Sequence, residues 1–281
     1  MAIKNWRPSW FIFLTLFLAS VDAAPAATLA VQTIQFGEHR LRADIVQPTP
    51  AQSGPRPAMI LIHGGGWSAG HRDEFSQFAQ LLASRGILAM LIDYRLAGPD
   101  ARWPAQAVDV ASAVWYLREN ARRLQIDTQR IGALGGSAGG HLAAWLATTD
   151  SINPNGTHSR VDLLISLWGP WDLTLSQPDL RGDARNMIRA LLGAAEDKAA
   201  SPLFSIDRHS APALLIHGSD DTLVPPSQSR RACNALREAG VECRLLILEG
   251  ENHSIQKPEN AALVLDHIGR FIHEQFFSRP R

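Results

Sequence analysis

The sequence predicts an α/β protein: a mostly parallel sheet with helices on both faces and an antiparallel hairpin at its N-terminal side. Three observations lead there. Short runs of mainly aliphatic residues recur along the chain, segments of helical period separate them, and the first two extended stretches alternate apolar with polar side chains. Strands that are apolar on both sides belong in a sheet covered on two faces. Alternation marks a strand with one side in water.

The elements follow in order. Lys4 and Arg7 precede the apolar run Trp10–Ala19, and Val21 and Ala23 fit a small-residue cleavage site, so residues 1–23 read as a secretory signal and 24–281 as one domain. Leu29–Phe36 and His39–Val46, joined through Gly37, form the hairpin. A loop rich in Pro and Ser (48–57) leads to strands at Ala58–Ile62, Ile87–Ile92, Arg130–Leu134, Val161–Leu167, Ala213–Ile216 and Cys243–Leu248. Helices are expected over Asp73–Ser84, Pro104–Arg123, Ala138–Thr148, Ser227–Ala239 and Pro258–Phe277. Only two cysteines are present. Cys233 lies about six residues before the end of its helix and Cys243 about three residues past the turn at Gly240, so their heights match. An exported chain would join them in a disulfide.

Composition narrows the function. The chain has 281 residues, 46% apolar and 19% charged, with zero net formal charge. That balance calls for neither nucleic acid nor an anionic membrane surface as partner. With the leader removed, no stable membrane insertion is expected, and the localisation would be secreted or periplasmic.

The most informative stretch is Ile131–His141, I-G-A-L-G-G-S-A-G-G-H. Ser137 falls where strand turns abruptly into helix. Side chains two residues before and after would collide across so sharp a turn, and Gly135 and Gly139 remove them. Phosphate loops need Lys before the Ser/Thr or a G-x-G-x-x-G spacing, and neither occurs here. Ser137 therefore reads as a nucleophile, which needs a positioned base. In this architecture the acid and then the His follow the Ser, which selects His253, in the loop after Cys243–Leu248. His267 and His273 lie inside the last helix and read as structural. The acid falls in H-G-S-D-D-T-L-V-P (217–225), where spacing leaves Asp220 and Asp221 open and Asp172 a distant third. His63-Gly64-Gly65-Gly66-Trp67 follows an earlier strand, and its glycines would aim backbone N–H groups at a carbonyl oxygen. Ala138 N–H supplies a further donor.

Together these pieces resemble the α/β-hydrolase superfamily, and within it the small esterases related to hormone-sensitive lipase and to bacterial feruloyl and acetylxylan esterases. The matching motifs are H-G-G-G-W (63–67), D-Y-R-L (93–96), G-G-S-A-G-G-H (135–141), H-G-S-D-D-T-L-V-P and the late His253. The resemblance implies an α/β-hydrolase fold, Asp221 rather than Asp220 as the acid, and an oxyanion hole of Gly65, Gly66 and Ala138. It implies structural roles for His63 and His141. It needs no metal and no cofactor. The chain leaves no room for an N-terminal cap, so a minimal cap is expected. Asp172–His209 is the only room for a lid, and its many charges predict a poor apolar roof. Trp67, Trp168 and Trp171 fall at strand ends and are candidates to line a substrate pocket.

The function this implies is a secreted serine carboxylesterase acting on short-chain or aromatic acyl esters, including acetyl or feruloyl esters of plant polysaccharide. Its substrate would be a small-molecule or carbohydrate-linked ester. Two other readings stand beside it: an amidase resembling kynurenine formamidase, against which the leader argues, and a non-catalytic binding protein, against which the complete triad argues. A prolyl-oligopeptidase-type peptidase would need a propeller domain for which the chain is too short.

Overall fold

The computed structural model describes residues 28–49 and 54–278, so the expected leader at 1–23 lies outside the described residues. The strands are β1 (Thr28–Phe36), β2 (Leu41–Thr49), β3 (Arg56–Ile62), β4 (Leu88–Ile92), β5 (Ile126–Gly136), β6 (Leu163–Leu167), β7 (Ala213–Gly218) and β8 (Cys243–Leu248). They form one sheet in the order β1-β2-β4-β3-β5-β6-β7-β8. β2 pairs antiparallel with both β1 and β4, and every later pairing is parallel. The hairpin thus extends an otherwise parallel, centrally buried sheet.

The helices are α1 (Ser76–Ser84), α2 (Ala105–Glu119), α3 (Ala121–Leu124), α4 (Ala138–Thr148), α5 (Gly182–Leu192), α6 (Ser227–Glu238) and α7 (Pro258–His273). Side chains along β3 show how two layers arise from one strand. Ala58, Ile60 and Ile62 join a core with α2, α4, α5 and α6, while Met59 and Leu61 join a second core with α1 and α7. Successive strand residues point to opposite faces, so an unbroken aliphatic run feeds both cores. All eleven residues of α4 are buried, which fixes the helix that follows Ser137.

Two of the boundaries that differ from the sequence reading have a local cause. β5 begins at Ile126 rather than Arg130 because its polar start is tied down locally: Arg130 pairs with Asp127 at 2.9 Å, and Arg56 N donates to Gln125 O. The helix expected at Asp73 opens as a 3-10 turn, Arg72–Phe75, in which Arg72 bonds Asp44 and Asp93, before α1 starts at Ser76. Cys233 and Cys243 are joined in a disulfide, their Cα atoms 5.5 Å apart. Among the described residues no helix is long and apolar enough to cross a membrane.

The lid segment corrects a sequence-level expectation. Between Asp172 and His209 lies α5, whose Ala184, Ile188, Leu191 and Leu192 are buried while Asp183, Asn186 and Arg189 face solvent. Counting charges missed the 3.6-residue period that sends them to the outer face. The segment is therefore an apolar roof over the strand ends.

Candidate active site

Ser137 occupies the turn between β5 and α4 at φ 54°, ψ −119°, a left-handed backbone that a residue with a Cβ adopts only under constraint. The constraint is steric. A Cβ on Gly135 would lie 2.2 Å from Gly139 O, and one on Gly139 would lie 2.1 Å from Ile62 O. Only glycines let strand and helix approach so closely, which lifts Oγ to the open end of the sheet.

Three of the residues selected from sequence converge there. Ser137 Oγ lies 2.8 Å from His253 Nε2, and His253 Nδ1 lies 2.7 Å from Asp221 Oδ2. The carboxylate can only accept from Nδ1–H, which leaves Nε2 to accept the serine proton. Asp221 is fully buried at its side chain. Burial alone would raise its pKa, but bonds from His217 and His253 outweigh that cost and hold the carboxylate down to about 2. Its Oδ1 accepts from Leu223 N at 3.0 Å and Val224 N at 2.9 Å. Asp220 is exposed and accepts from Ser219 Oγ, and Asp172 is paired with Arg231 at 3.1 Å. Of the two neighbouring carboxylates, Asp221 is the one that meets the imidazole.

The glycine loop lies against this array. Gly65, Gly66 and Trp67 have consecutive positive φ values of 96°, 58° and 60°, a winding that turns the backbone toward Ser137. A Cβ on Gly64 would sit 3.6 Å from Ser137 Cβ. Ala138 is the first residue of α4, where N–H groups have no partner within the helix. D-Y-R-L supports the loop from below, a role the sequence did not reveal. Tyr94 stacks on His63 at 4.2 Å and donates to His63 O and Gly64 O, while Arg95 grips Asp109. Trp67 Nε1 donates to His141 Nδ1 at 3.2 Å, so His141 Nε2–H donates to Ala200 O. Burial pushes both His63 and His141 down to about 4, keeping them neutral braces.

The three pocket tryptophans separate. Trp67 lines a cavity of about 30 Å³ beside Ser137, with Gly66, Leu180, Ala184, Met187 and Leu223 among its walls. The other two do not line this cavity. Trp171 is wholly buried, its backbone N–H donating to Gln228 Oε1. Trp168, at φ 40°, packs edge-on to the His253 ring at 6.3 Å and lines a separate apolar cavity of about 150 Å³ with Leu134, Leu167, Ile255 and Ile268. Strand-end position alone does not set which way a side chain turns. Among the described residues no group of three or more His, Cys, Asp or Glu side chains is placed to hold a metal ion.

The same architecture occurs in known esterases. An esterase (Est2) from the planctomycete Thermogutta terrifontis superposes with a TM-score of 0.76 at 28% identity, covering 92% of this chain and 96% of that one. The acetyl ester-xyloside bifunctional hydrolase of Caldicellulosiruptor lactoaceticus shares the fold at 24% identity, with a TM-score of 0.70 over 83% of this chain and 90% of that one. Esterase LipC of Mycobacterium tuberculosis is 31% identical over 223 residues, 74% of this chain and 55% of that protein. The chain spans about half the length of the curated relatives it matches. Residues 43–236 match the BD-FAE family, and with that match and this geometry the chain belongs to the BD-FAE family of α/β-hydrolase fold.

Proposed function

We propose that the protein is a serine carboxylesterase of short-chain acyl esters. The observation that carries this reading is the unbroken line from Ser137 Oγ through His253 to buried Asp221, on a strained elbow facing the glycine loop. Ser137 Oγ attacks the ester carbonyl while His253 Nε2 takes its proton. The resulting oxyanion faces the N–H groups of Gly65, Gly66 and Ala138. Asp221 stabilises the imidazolium, which then protonates the departing alcohol. Water, activated by the same imidazole, releases the acid.

The pocket sides follow from that proton path. The alcohol must leave next to His253, which does not line the 30 Å³ cavity, so that cavity takes the acyl group. Its size admits about two water-sized groups, which favours acetyl over feruloyl among the polysaccharide esters the sequence resemblance implies. A carbohydrate alcohol would then sit outside the roof. The N-terminal charge and apolar pattern supports a secreted or periplasmic location, and the Cys233–Cys243 bridge suits an oxidising compartment. The test is hydrolysis of p-nitrophenyl acetate and of acetylated xylan: Ser137→Ala should lower kcat by roughly 10⁴–10⁶. Retention of more than a tenth of wild-type kcat would reject the reading, and faster cleavage of a matched formanilide than of the ester would favour an amidase.

A further inference from the structure

The line of hydrogen bonds does not end at Asp221. On its far side stands His217, the last-but-one residue of β7, with its side chain fully buried. His217 Nε2 lies 2.8 Å from Val224 O and 3.2 Å from Asp221 Oδ2. A carbonyl and an ionised carboxylate both only accept, so Nε2 carries a proton that these two oxygens share. Nδ1 then accepts, and its neighbour is Ser229 Oγ on α6 at 2.7 Å. Ser229 is itself fully buried. The result is one continuous array, Ser137–His253–Asp221–His217–Ser229, in which a single carboxylate oxygen serves two imidazoles.

We propose that His217 and Ser229 are positioning residues that extend the triad, holding Asp221 and setting how strongly its carboxylate draws on His253. The inference rests on the esterase reading above. Each donor on a carboxylate lowers its basicity. With His217 in place, Asp221 pulls less on the Nδ1 proton of His253, and the protonated, inactive form of the base is stabilised less. Removing the donor reverses this: Asp221 becomes more basic, the imidazolium is favoured, and activity on the acid side is lost at a higher pH. Among the described residues, the titratable groups facing His217 are Asp221 and, through it, His253. Asp220 is turned to Ser219, and Glu251 is committed to the amides of Gln256 and Lys257 and to Asn260. Asp172 is held by Arg231. The Ser229 hydroxyl, by donating to Nδ1, makes the opposite N–H a stronger donor, so its loss acts in the same direction and more weakly.

The experiment is kcat/KM against pH with p-nitrophenyl acetate for wild type, His217→Leu, His217→Gln and Ser229→Ala, with thermal unfolding of each. Absence of hydrolysis by the wild type would sink the esterase reading itself. Given hydrolysis, His217→Leu should move the midpoint of the acid limb up by roughly half a pH unit or more. His217→Gln, whose amide can donate from the position of Nε2, should restore the wild-type midpoint. Lost packing would lower activity across the profile without moving the midpoint. Should the leucine variant not fold, Ser229→Ala decides, with a smaller upward shift expected. An unmoved or lowered midpoint in the folded variants overturns the proposal.

Discussion

If the protein is the esterase proposed above, Met187 should set the length of acyl chain it accepts. It lies on the inner side of α5 and lines the cavity beside Ser137, close enough to the glycine loop that a Cβ on Gly66 would meet its Sδ at 2.9 Å. The cavity of about 30 Å³ is filled by an acetyl or propionyl group. Met187→Ala removes Cγ, Sδ and Cε and extends the space by roughly two to three methylenes. Each methylene that becomes buried contributes about 0.8 kcal/mol. The specificity ratio of hexanoate to acetate should therefore rise by about 1.6–2.4 kcal/mol, or roughly 15–60-fold. Met187 is only partly buried, so the stability cost should fall below the range of about 2–5 kcal/mol for a fully buried side chain. The assay is kcat/KM for nitrophenyl esters from acetate to decanoate. Wild type should peak at acetate to propionate and fall steeply from butyrate onward. An unchanged chain-length profile in Met187→Ala, or a wild-type preference for palmitate, would refute the assignment of this cavity to the acyl group.

Other outcomes follow from the same geometry. Asp221→Asn should cost activity heavily, though less than loss of Ser137 or His253, while Asp220→Asn should leave kcat within about twofold of wild type, and the reverse order would move the acid to Asp220. His63 and His141 are held neutral to about pH 4 by burial, against 6.5 in the unfolded chain. Their contribution is complete above pH 6.5 and is lost as pH falls toward 4, about 3 kcal/mol each, because only the unfolded chain takes up the protons in that window. Tm should fall steadily from pH 7 to 4, less so in His141→Gln, and a flat Tm would contradict the burial argument. Reducing the Cys233–Cys243 bridge, which closes a loop of sequence separation 10, should lower unfolding free energy by roughly 2–3 kcal/mol. Equal denaturation midpoints with and without reductant would show that the bridge adds nothing.

The legible part of the site was the part dictated by backbone. Ser137 could be placed because two glycines flank it at a spacing that only a strand-to-helix turn requires, and His253 because chain order and a strand end left it as the base. Asp221 was separable from Asp220 only through resemblance, since neighbouring residues on one turn differ in direction and not in position. What the sequence hid is side-chain orientation. Trp168 and Trp171 share a strand end with Trp67 in kind, yet one turns behind His253 and the other into the core. Charges on α5 concealed its apolar face because they were counted rather than placed around the helix. His217 sat in a motif already quoted, but its link to Ser229 depends on β7 meeting α6, a contact no local pattern reports.

The most direct test of the account is covalent labelling with a p-nitrophenyl alkylphosphonate, which forms an adduct that a hydrolase of this kind does not release. One label per chain, carried by the peptide containing Ser137 and lost together with esterase activity in the same proportion, is the predicted result. Inactivation with the label on another residue, or full ester hydrolysis by protein labelled at Ser137, would contradict it.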